Sequence, residues 1–146
     1  MTTMTETYGD VVRLPVHFDD LDALGMLHNS RYGVLVERAV LLWWQERGVS
    51  FSNGGPVSPD TFNVVREFTI TFHRPVRGTG EVAIHFWVDR LGTTSATYGF
   101  RITAPGDPGV VYADGHRVVV GIDPRTSRPA PWSDNARGLA TSLLKG

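Results

Sequence analysis

A loop rich in carboxylates precedes the most regular apolar repeat of the chain. Residues 19–29 read DDLDALGMLHN and combine three aspartates with Gly25, His28 and Asn29. A loop carboxylate can serve as a general base or a nucleophile, and a neighbouring histidine can transfer a proton. On spacing alone, an Asx-turn or a cap is the more common role for Asp22 in such a loop, and catalysis is the alternative.

The rest of the sequence excludes several other chemistries. The chain has no cysteine, which excludes thiolate zinc sites, disulfides and cysteine nucleophiles. The histidines outside the loop lack the spacing of a metal site, so we predict no metal. They are His17, His73, His85 and His116. The motifs of α/β-hydrolases, P-loop NTPases and dinucleotide-binding proteins are absent from the sequence.

Length and composition predict one domain over residues 1–146, with its core at about residues 11–131 and a short C-terminal tail. The 146 residues are 41% hydrophobic, which is enough for a hydrophobic core that needs no disulfides or structural metals. A formal net charge of −1 gives no basic surface for nucleic acid. The polar N-terminus does not resemble a secretion signal, and no apolar run approaches the length of a membrane span. We therefore expect a cytoplasmic protein without membrane insertion.

One amphipathic repeat predicts a helix over Ser30–Arg47. Apolar residues recur there at the spacing of one helix face, with Asn29 or Ser30 as the N-cap and Gly48 closing the C-terminal end. Leu41, Leu42 and Trp44 extend the apolar surface, so we expect burial on more than one side.

Strand patterns surround this helix. Val11–Phe18 predicts a first strand, which Pro15 favours placing at a sheet edge. Four runs with a period of two follow the helix, and their short connections require antiparallel pairing. These runs lie at about 62–72, 82–88, 96–102 and 110–122. A short terminal helix is expected within 132–144. The fold class is α+β, with a long central helix wrapped by a curved antiparallel sheet of about five strands.

The element order and several motifs resemble the 4-hydroxybenzoyl-CoA thioesterase branch of the hot-dog superfamily. Members carry F/Y-x-D-x-D-x-x-G, then N-x-x-Y, and a helix with E-R-A. The matching residues are Asp20, Asp22, Gly25, Asn29, Tyr32 and Glu37-Arg38-Ala39. His73-Arg74-Pro75 and Val120–Pro124 extend the resemblance, which covers about Val11 to Pro131. Met26 stands where many members have histidine, and this departure bears on the substrate class.

The resemblance implies hydrolysis of an acyl thioester of coenzyme A or of an acyl-carrier protein, with coenzyme A only as part of the substrate and no cofactor. It implies that Asp22 is the nucleophile or general base and that the Asn29 amide stabilises the oxyanion. His28 could orient Asp22, contact the acyl group or act as a base, or it could be a loop histidine bonded to the backbone. The expected substrate-binding residues are Gly25, Tyr32, Asn63, Arg74 and Arg77.

The resemblance also implies a homodimer, with assembly into a tetramer as a further step. The two sheets would join, and residues 63–67 would reach the Asp22 of the second subunit. For Glu37 we expect a structural role, pairing with a cation or facing the second subunit, although another hot-dog branch uses a helix glutamate in catalysis. Two alternative functions stay open, a hot-dog dehydratase or hydratase and a non-catalytic acyl-binding module.

Overall fold

A computed structural model describes residues 8–52, 55–56 and 58–146. The first part of the chain contains β1 (Asp10–Val16), α1 (Asn29–Gln45), β2 (Phe51–Ser52), β3 (Gly55–Pro56) and β4 (Asn63–Phe72). The second part contains β5 (Gly80–Leu91), β6 (Ser95–Ala104), β7 (Asp107–Asp123), β8 (Arg128–Pro129) and α2 (Asp134–Thr141). The predicted terminal helix is therefore present as α2.

The five long strands form one antiparallel sheet in the order β1-β5-β6-β7-β4, and β8 pairs with β7. Neighbours along β5, β6 and β7 are consecutive in sequence, as their short connections require. β1 lies at one edge, which fits Pro15, and β4 lies at the other. The predicted arrangement of one long helix against an antiparallel sheet of about five strands is confirmed.

Helix α1 buries one stripe of side chains against the sheet. The stripe repeats at three and four residues, as the sequence predicts: Tyr32, Leu35, Val36, Ala39, Val40 and Trp43. Alternate residues of β5, β6 and β7 complete the core, with Phe86, Phe100 and Ile102 fully buried. Burial of the helix on further sides is incomplete within one chain, because Val34 and Leu41 remain exposed.

Both predicted boundaries of helix α1 need correction. His28 is the N-cap, and its side chain accepts a hydrogen bond from the Ser30 amide, so Asn29 is already the first helical residue. Sequence reasoning chose Asn29 or Ser30 because asparagine and serine are common N-caps and histidine is not. At the C-terminal end, the helix stops at Gln45 with Glu46 as the C-cap, two residues before the predicted end at Arg47. Gly48 lies in the turn that follows, where it adopts φ +91° and the Val49 amide bonds to the Trp44 carbonyl.

A β-bulge at Arg66 changes which residues of β4 share a face. Val65 pairs with Val119, whereas Glu67 pairs with Val118, so one residue is inserted between them. Val65 therefore joins Phe68 on the helix side of the sheet, and Val64 lies on the opposite side. Counting with a period of two along the sequence places Val64 on the same face as Phe68, which is wrong because such counting cannot detect an inserted residue.

Candidate functional site

Asp22 lies in a tight turn that its own carboxylate stabilises. The Gly25 amide bonds to the Asp22 carbonyl at 3.0 Å, and the Asp22 amide bonds to the Met26 carbonyl at 2.7 Å. Asp22 Oδ1 accepts hydrogen bonds from the amides of Leu24 at 2.8 Å and Met26 at 3.1 Å. Gly25 has φ +76°, a conformation that suits glycine. The Asx-turn expected on spacing alone is therefore present, and Oδ2 accepts no hydrogen bond from the described residues.

The Asp22 turn is fixed between two other segments. Leu21 and Leu27 form an antiparallel bridge across its base. On its outer side, Met26 bridges Arg77, and the Gly78 amide donates to the Gly25 carbonyl at 2.8 Å. The turn is thus rigidly positioned by backbone hydrogen bonds, which makes it a suitable platform for a reactive carboxylate.

The N-terminus of α1 follows directly and presents one free amide. His28 Nδ1 accepts from the Ser30 amide at 3.1 Å, and the His28 carbonyl accepts from the Arg31 amide at 2.9 Å. The Asn29 amide donates to no acceptor among the described residues. Helix N-termini attract negative charge because such amides lack intrahelical partners. His28 therefore bonds to the backbone, in agreement with one of its two sequence interpretations.

Tyr32 connects this end of the helix to the sheet. Its ring is buried and lies edge-on to Phe72, with 4.9 Å between the ring centroids. Burial raises the pKa of the Tyr32 hydroxyl, a backbone hydrogen bond with Val76 opposes that rise, and the negative charge of Asp22 adds to it. The Asp22 turn, Tyr32 and the end of β4 are consequently neighbours.

Asp20 organises the loop. Its Oδ2 accepts a hydrogen bond from the His17 amide at 2.8 Å, and its Oδ1 lies 3.6 Å from Arg31 Nε. The Asp20 carbonyl also accepts from the His28 amide at 2.9 Å. Asp20 is therefore a structural residue that holds the loop against the start of α1.

The structure brings most of the predicted site residues together, with one exception. Six lie in or against the Asp22 turn and the first turns of α1: Asp22, Gly25, His28, Asn29, Tyr32 and Arg77. Arg74 is exposed in the same connection as Arg77. Asn63 lies at the opposite end of β4, where its side-chain amide donates to the Asp60 carbonyl at 3.0 Å. Within one chain, Asn63 is thus separated from the others.

A cavity of about 500 Å³ lies beside Asn63, between the C-terminal half of α1, helix α2 and the helix side of the sheet. Its walls are mainly apolar and include Val40, Trp44, Leu91 and Val119. Volume and lining are those of a small-molecule site. None of the residues of the Asp22 turn lines this cavity.

Polar groups are concentrated on one side of the cavity. Arg117 is buried in β7, and its Nη2 lies 3.5 Å from Glu37 Oε2. Burial lowers the pKa of Arg117, and the charge of Glu37 opposes that change. Next to Arg117, the Tyr98 hydroxyl accepts a hydrogen bond from Trp44 Nε1 at 2.7 Å. Glu37 thus pairs with a cation, as expected.

Sequence reasoning missed Arg117 as a functional candidate. The sequence nevertheless indicates its position. Ala113, Arg117 and Val119 are separated by even numbers of residues along β7, so their side chains lie on the same face of the strand. A lone arginine on an apolar strand face predicts a buried charge that needs a partner.

Among the described residues, no group of three or more histidine, aspartate and glutamate side chains could hold a metal ion. None of the described helices is long and apolar enough to cross a membrane.

Comparison with known proteins identifies relatives of this architecture. A family model described as the thioesterase superfamily matches residues 24–111, more than half of the chain, in a range that begins just after Asp22. A thioesterase from Thermus thermophilus, solved with coenzyme A and zinc, is 27% identical with a TM-score of 0.76, over 95% of this chain and 96% of its own. No curated protein sequence matches the chain.

Two further solved structures share the fold at lower identity. The PA5185 protein from Pseudomonas aeruginosa is 24% identical with a TM-score of 0.83, over 95% of this chain and 94% of its own. Slr0204 from Synechocystis, a 1,4-dihydroxy-2-naphthoyl-CoA thioesterase, is 15% identical with a TM-score of 0.78, over 91% of this chain and 96% of its own. The predicted hot-dog fold is confirmed.

Proposed function

The chain belongs to the thioesterase superfamily, and we propose that it hydrolyses an acyl thioester to a free acid and a thiol at the Asp22 turn. The observation that carries this proposal is the free Asn29 amide at the N-terminus of α1, next to a turn that leaves Asp22 Oδ2 without a hydrogen bond from the described residues. One group can deliver the attacking oxygen, and the other can stabilise the negative charge that develops on the carbonyl oxygen.

In the general-base route, Asp22 accepts a proton from water as the water oxygen bonds to the carbonyl carbon. The Asn29 amide donates a hydrogen bond to the resulting oxyanion. When the carbonyl re-forms, the carbon–sulfur bond breaks, and the departing thiolate takes the proton from Asp22. In the nucleophilic route, Asp22 Oδ2 bonds to the carbonyl carbon, the thiolate leaves, and water then hydrolyses the mixed anhydride.

We propose coenzyme A as the principal thiol carrier. The Thermus thermophilus relative was solved with coenzyme A bound. In this chain, Arg77 flanks the Asp22 turn, and Arg74 is exposed in the same connection. Arginine side chains bind phosphate groups through charge-assisted hydrogen bonds, so these two residues are suited to the nucleotide part of the carrier. Acyl-carrier-protein thioesters are the second substrate class to test.

We further propose that the active unit is a dimer joined along β4. This strand is an edge with unpaired backbone groups, and it exposes Val64, Val65, Phe68 and Phe72. Its end at Phe72 contacts Tyr32 beside the Asp22 turn. If two copies of β4 pair antiparallel, the start of the partner's strand lies next to that end. The partner's residues 63–67 would then complete the site at Asp22, as the family resemblance implies.

The test is thiol release from a panel of short, long and aromatic acyl-CoA esters by the wild type and Asp22→Asn. Asparagine retains the Oδ1 acceptor that the turn uses, so the fold is preserved while the base or nucleophile is lost. We expect kcat to fall about 10²–10⁴-fold, the usual contribution of such a group. The matched control is Asp19→Asn, an exposed carboxylate in the same loop, which should retain the wild-type rate.

Two outcomes would refute the proposed chemistry. If the wild type released no thiol from coenzyme A or carrier-protein esters but bound them, the chain would be a non-catalytic binding module. If it instead formed or consumed a double bond in an enoyl thioester, it would be a hydratase or dehydratase. If the wild type does hydrolyse the ester, single-turnover hydrolysis in oxygen-18 water separates the general-base route from the nucleophilic route. Only the nucleophilic route, through the mixed anhydride, can place oxygen-18 in the carboxylate of Asp22.

A further inference from the structure

Arg117 is buried without the hydrogen bonds that a guanidinium group normally makes. Its side chain is 8% exposed, and its only charged neighbour among the described residues is Glu37 at 3.5 Å. That distance exceeds the 2.7–2.9 Å typical of charge-assisted hydrogen bonds. Arg117 donates no hydrogen bond to another described residue, although a guanidinium has five N–H donors. The buried cation therefore has donors available for a ligand.

Glu37 is a weak and displaceable partner. Its side chain is 52% exposed, so water can solvate this carboxylate, whereas Arg117 is only 8% exposed. The carboxylate can rotate into solvent when another anion approaches Arg117. The neighbouring Tyr98 hydroxyl accepts from Trp44, which leaves its own O–H available as a second donor.

The other carboxylate of the cavity does not compete for Arg117. Both oxygens of Asp60 are occupied: Oδ1 accepts from the Ser133 amide at 2.9 Å, and Oδ2 accepts from the hydroxyls of Ser133 at 2.6 Å and Ser58 at 2.9 Å. Among the described lining residues, Arg117 is the only basic one. The cavity thus combines apolar walls with one available cationic group.

The rim of this cavity includes Asn63 and Val65 at the start of β4. In the proposed dimer, that end of the strand lies next to the partner subunit's Asp22. An acyl group with its thioester carbonyl at the partner's Asp22 could therefore extend past Asn63 into the cavity, with its far end directed towards Arg117.

We propose that the cavity selects acyl groups that carry a carboxylate at the end distal to the thioester, which Arg117 binds in place of Glu37. This proposal names a substrate class and rests on the proposed thioester hydrolysis. The apolar walls contact the chain between the two carboxyl carbons, and the Tyr98 hydroxyl donates to the terminal carboxylate. Arg117 is a specificity-determining residue, whereas the reaction itself occurs at Asp22.

The test compares suberyl-CoA with octanoyl-CoA, whose acyl chains have the same number of carbons and differ in the distal carboxylate. The wild type should prefer suberyl-CoA in kcat/KM. Arg117→Met keeps an unbranched apolar side chain at this position but removes the guanidinium group. It should lower that preference by about 10- to 100-fold, the range expected for a hydrogen bond to a charged group. Arg38→Met is the control, because Arg38 is an exposed arginine on α1 next to Glu37 and does not line the cavity.

Glu37→Gln gives an independent prediction of the opposite sign. Removal of the competing charge should strengthen suberate binding several-fold in calorimetry, whereas binding of octanamide, an uncharged ligand with the same number of carbons, should change little. Arg117→Met should abolish the difference between suberate and octanamide. Thermal unfolding of each variant checks that the fold persists.

The outcomes separate this inference from the proposed function. An unchanged substrate preference in Arg117→Met, or a wild-type preference for octanoyl-CoA that Arg117→Met does not alter, would overturn the inference while hydrolysis stands. Failure to hydrolyse either ester, together with Arg117-dependent binding of suberate, would refute hydrolysis and keep the carboxylate site. Equal binding of suberate and the uncharged octanamide by the wild type would overturn the carboxylate site directly.

Discussion

The two ends of helix α1 position their polar groups in different ways. At the N-terminal end, the Asp22 turn and His28 are fixed by local hydrogen bonds, most of them to backbone amides. At the C-terminal half, Arg117 and Glu37 come from elements that are distant in sequence and meet at 3.5 Å. Among the described residues, the Asn29 amide and Asp22 Oδ2 have no hydrogen-bond partner at the first end, and the Arg117 guanidinium donates no hydrogen bond at the second.

This difference suggests that one end of α1 serves the reaction and the other end serves the selection of the acyl group. Groups held by the backbone have little freedom, which suits a reaction that needs fixed geometry at the carbonyl. Side chains that line a cavity can be exchanged without disturbing the backbone, which suits discrimination between acyl groups. We therefore assign the proposed hydrolysis to the Asp22 end and the inferred selection of acyl groups to the Arg117 end.

The largest expected effect concerns the proposed joining of the two ends across a dimer. Val64→Asp places a charge on the β4 edge, where an uncompensated buried charge costs about 3–5 kcal/mol. We expect the dimer dissociation constant to rise by at least about two orders of magnitude in sedimentation measurements. Thioester turnover should fall with the loss of the dimer, because the two ends would no longer meet.

The control for this change is Val11→Asp on β1, the opposite edge of the sheet. Val11 is 52% exposed and Val64 is 48% exposed, so the two substitutions are closely matched in surroundings. Val11→Asp should leave the dimer intact. Dissociation by both variants, or by neither, would show that β4 is not the dimer edge. The Asp22 end and the Arg117 end would then not meet across a dimer.

A smaller effect is expected from Tyr98→Phe at the cavity end. The substitution leaves the Trp44 N–H without its acceptor, which should destabilise the protein by about 1–3 kcal/mol in chemical denaturation. Tyr32→Phe provides a comparison at the other end of the helix, since Tyr32 is also buried, lies outside the cavity and would lose its own backbone hydrogen bond with Val76.

The same residue predicts how stability depends on alkaline pH. Burial raises the pKa of Tyr98 from 10.0 to about 12. Above pH 10 the unfolded chain loses this proton before the folded protein does, so the free energy of unfolding should fall between about pH 10 and 12. Tyr98→Phe should reduce this decline. An identical pH dependence in both proteins would contradict the raised pKa.

The smallest effect is expected from His28→Ala at the N-terminal end. Loss of the acceptor for the Ser30 amide should destabilise the protein by about 0.5–2 kcal/mol, the usual cost of removing an N-cap. His28→Asn supplies an alternative acceptor and should recover most of this loss in thermal unfolding. Equal destabilisation by alanine and asparagine would show that His28 acts through something other than its cap.

Local features of the fold could be predicted from the sequence because they depend on short-range spacing. The apolar repeat of α1, the alternation in the strands and the turn around Gly25 each extend over a few residues. The bulge at Arg66 could not be predicted, since an inserted residue changes the pairing without a distinctive composition. The His28 cap was missed because statistical preference favoured its neighbours.

The candidate site also combines a part that the sequence predicts with a part that depends on the packing of distant elements. Residues 19–30 predict the Asp22 turn and, to within one residue, the start of α1, because hydrogen bonds between near neighbours form most of both. Two relations are visible only in the folded protein: Arg117 lies against Glu37 in a cavity, and Asn63 lies away from Asp22 within one chain. Those relations depend on the packing of elements distant in sequence, where a residue's charge partner is set by the fold and not by its neighbours in the chain.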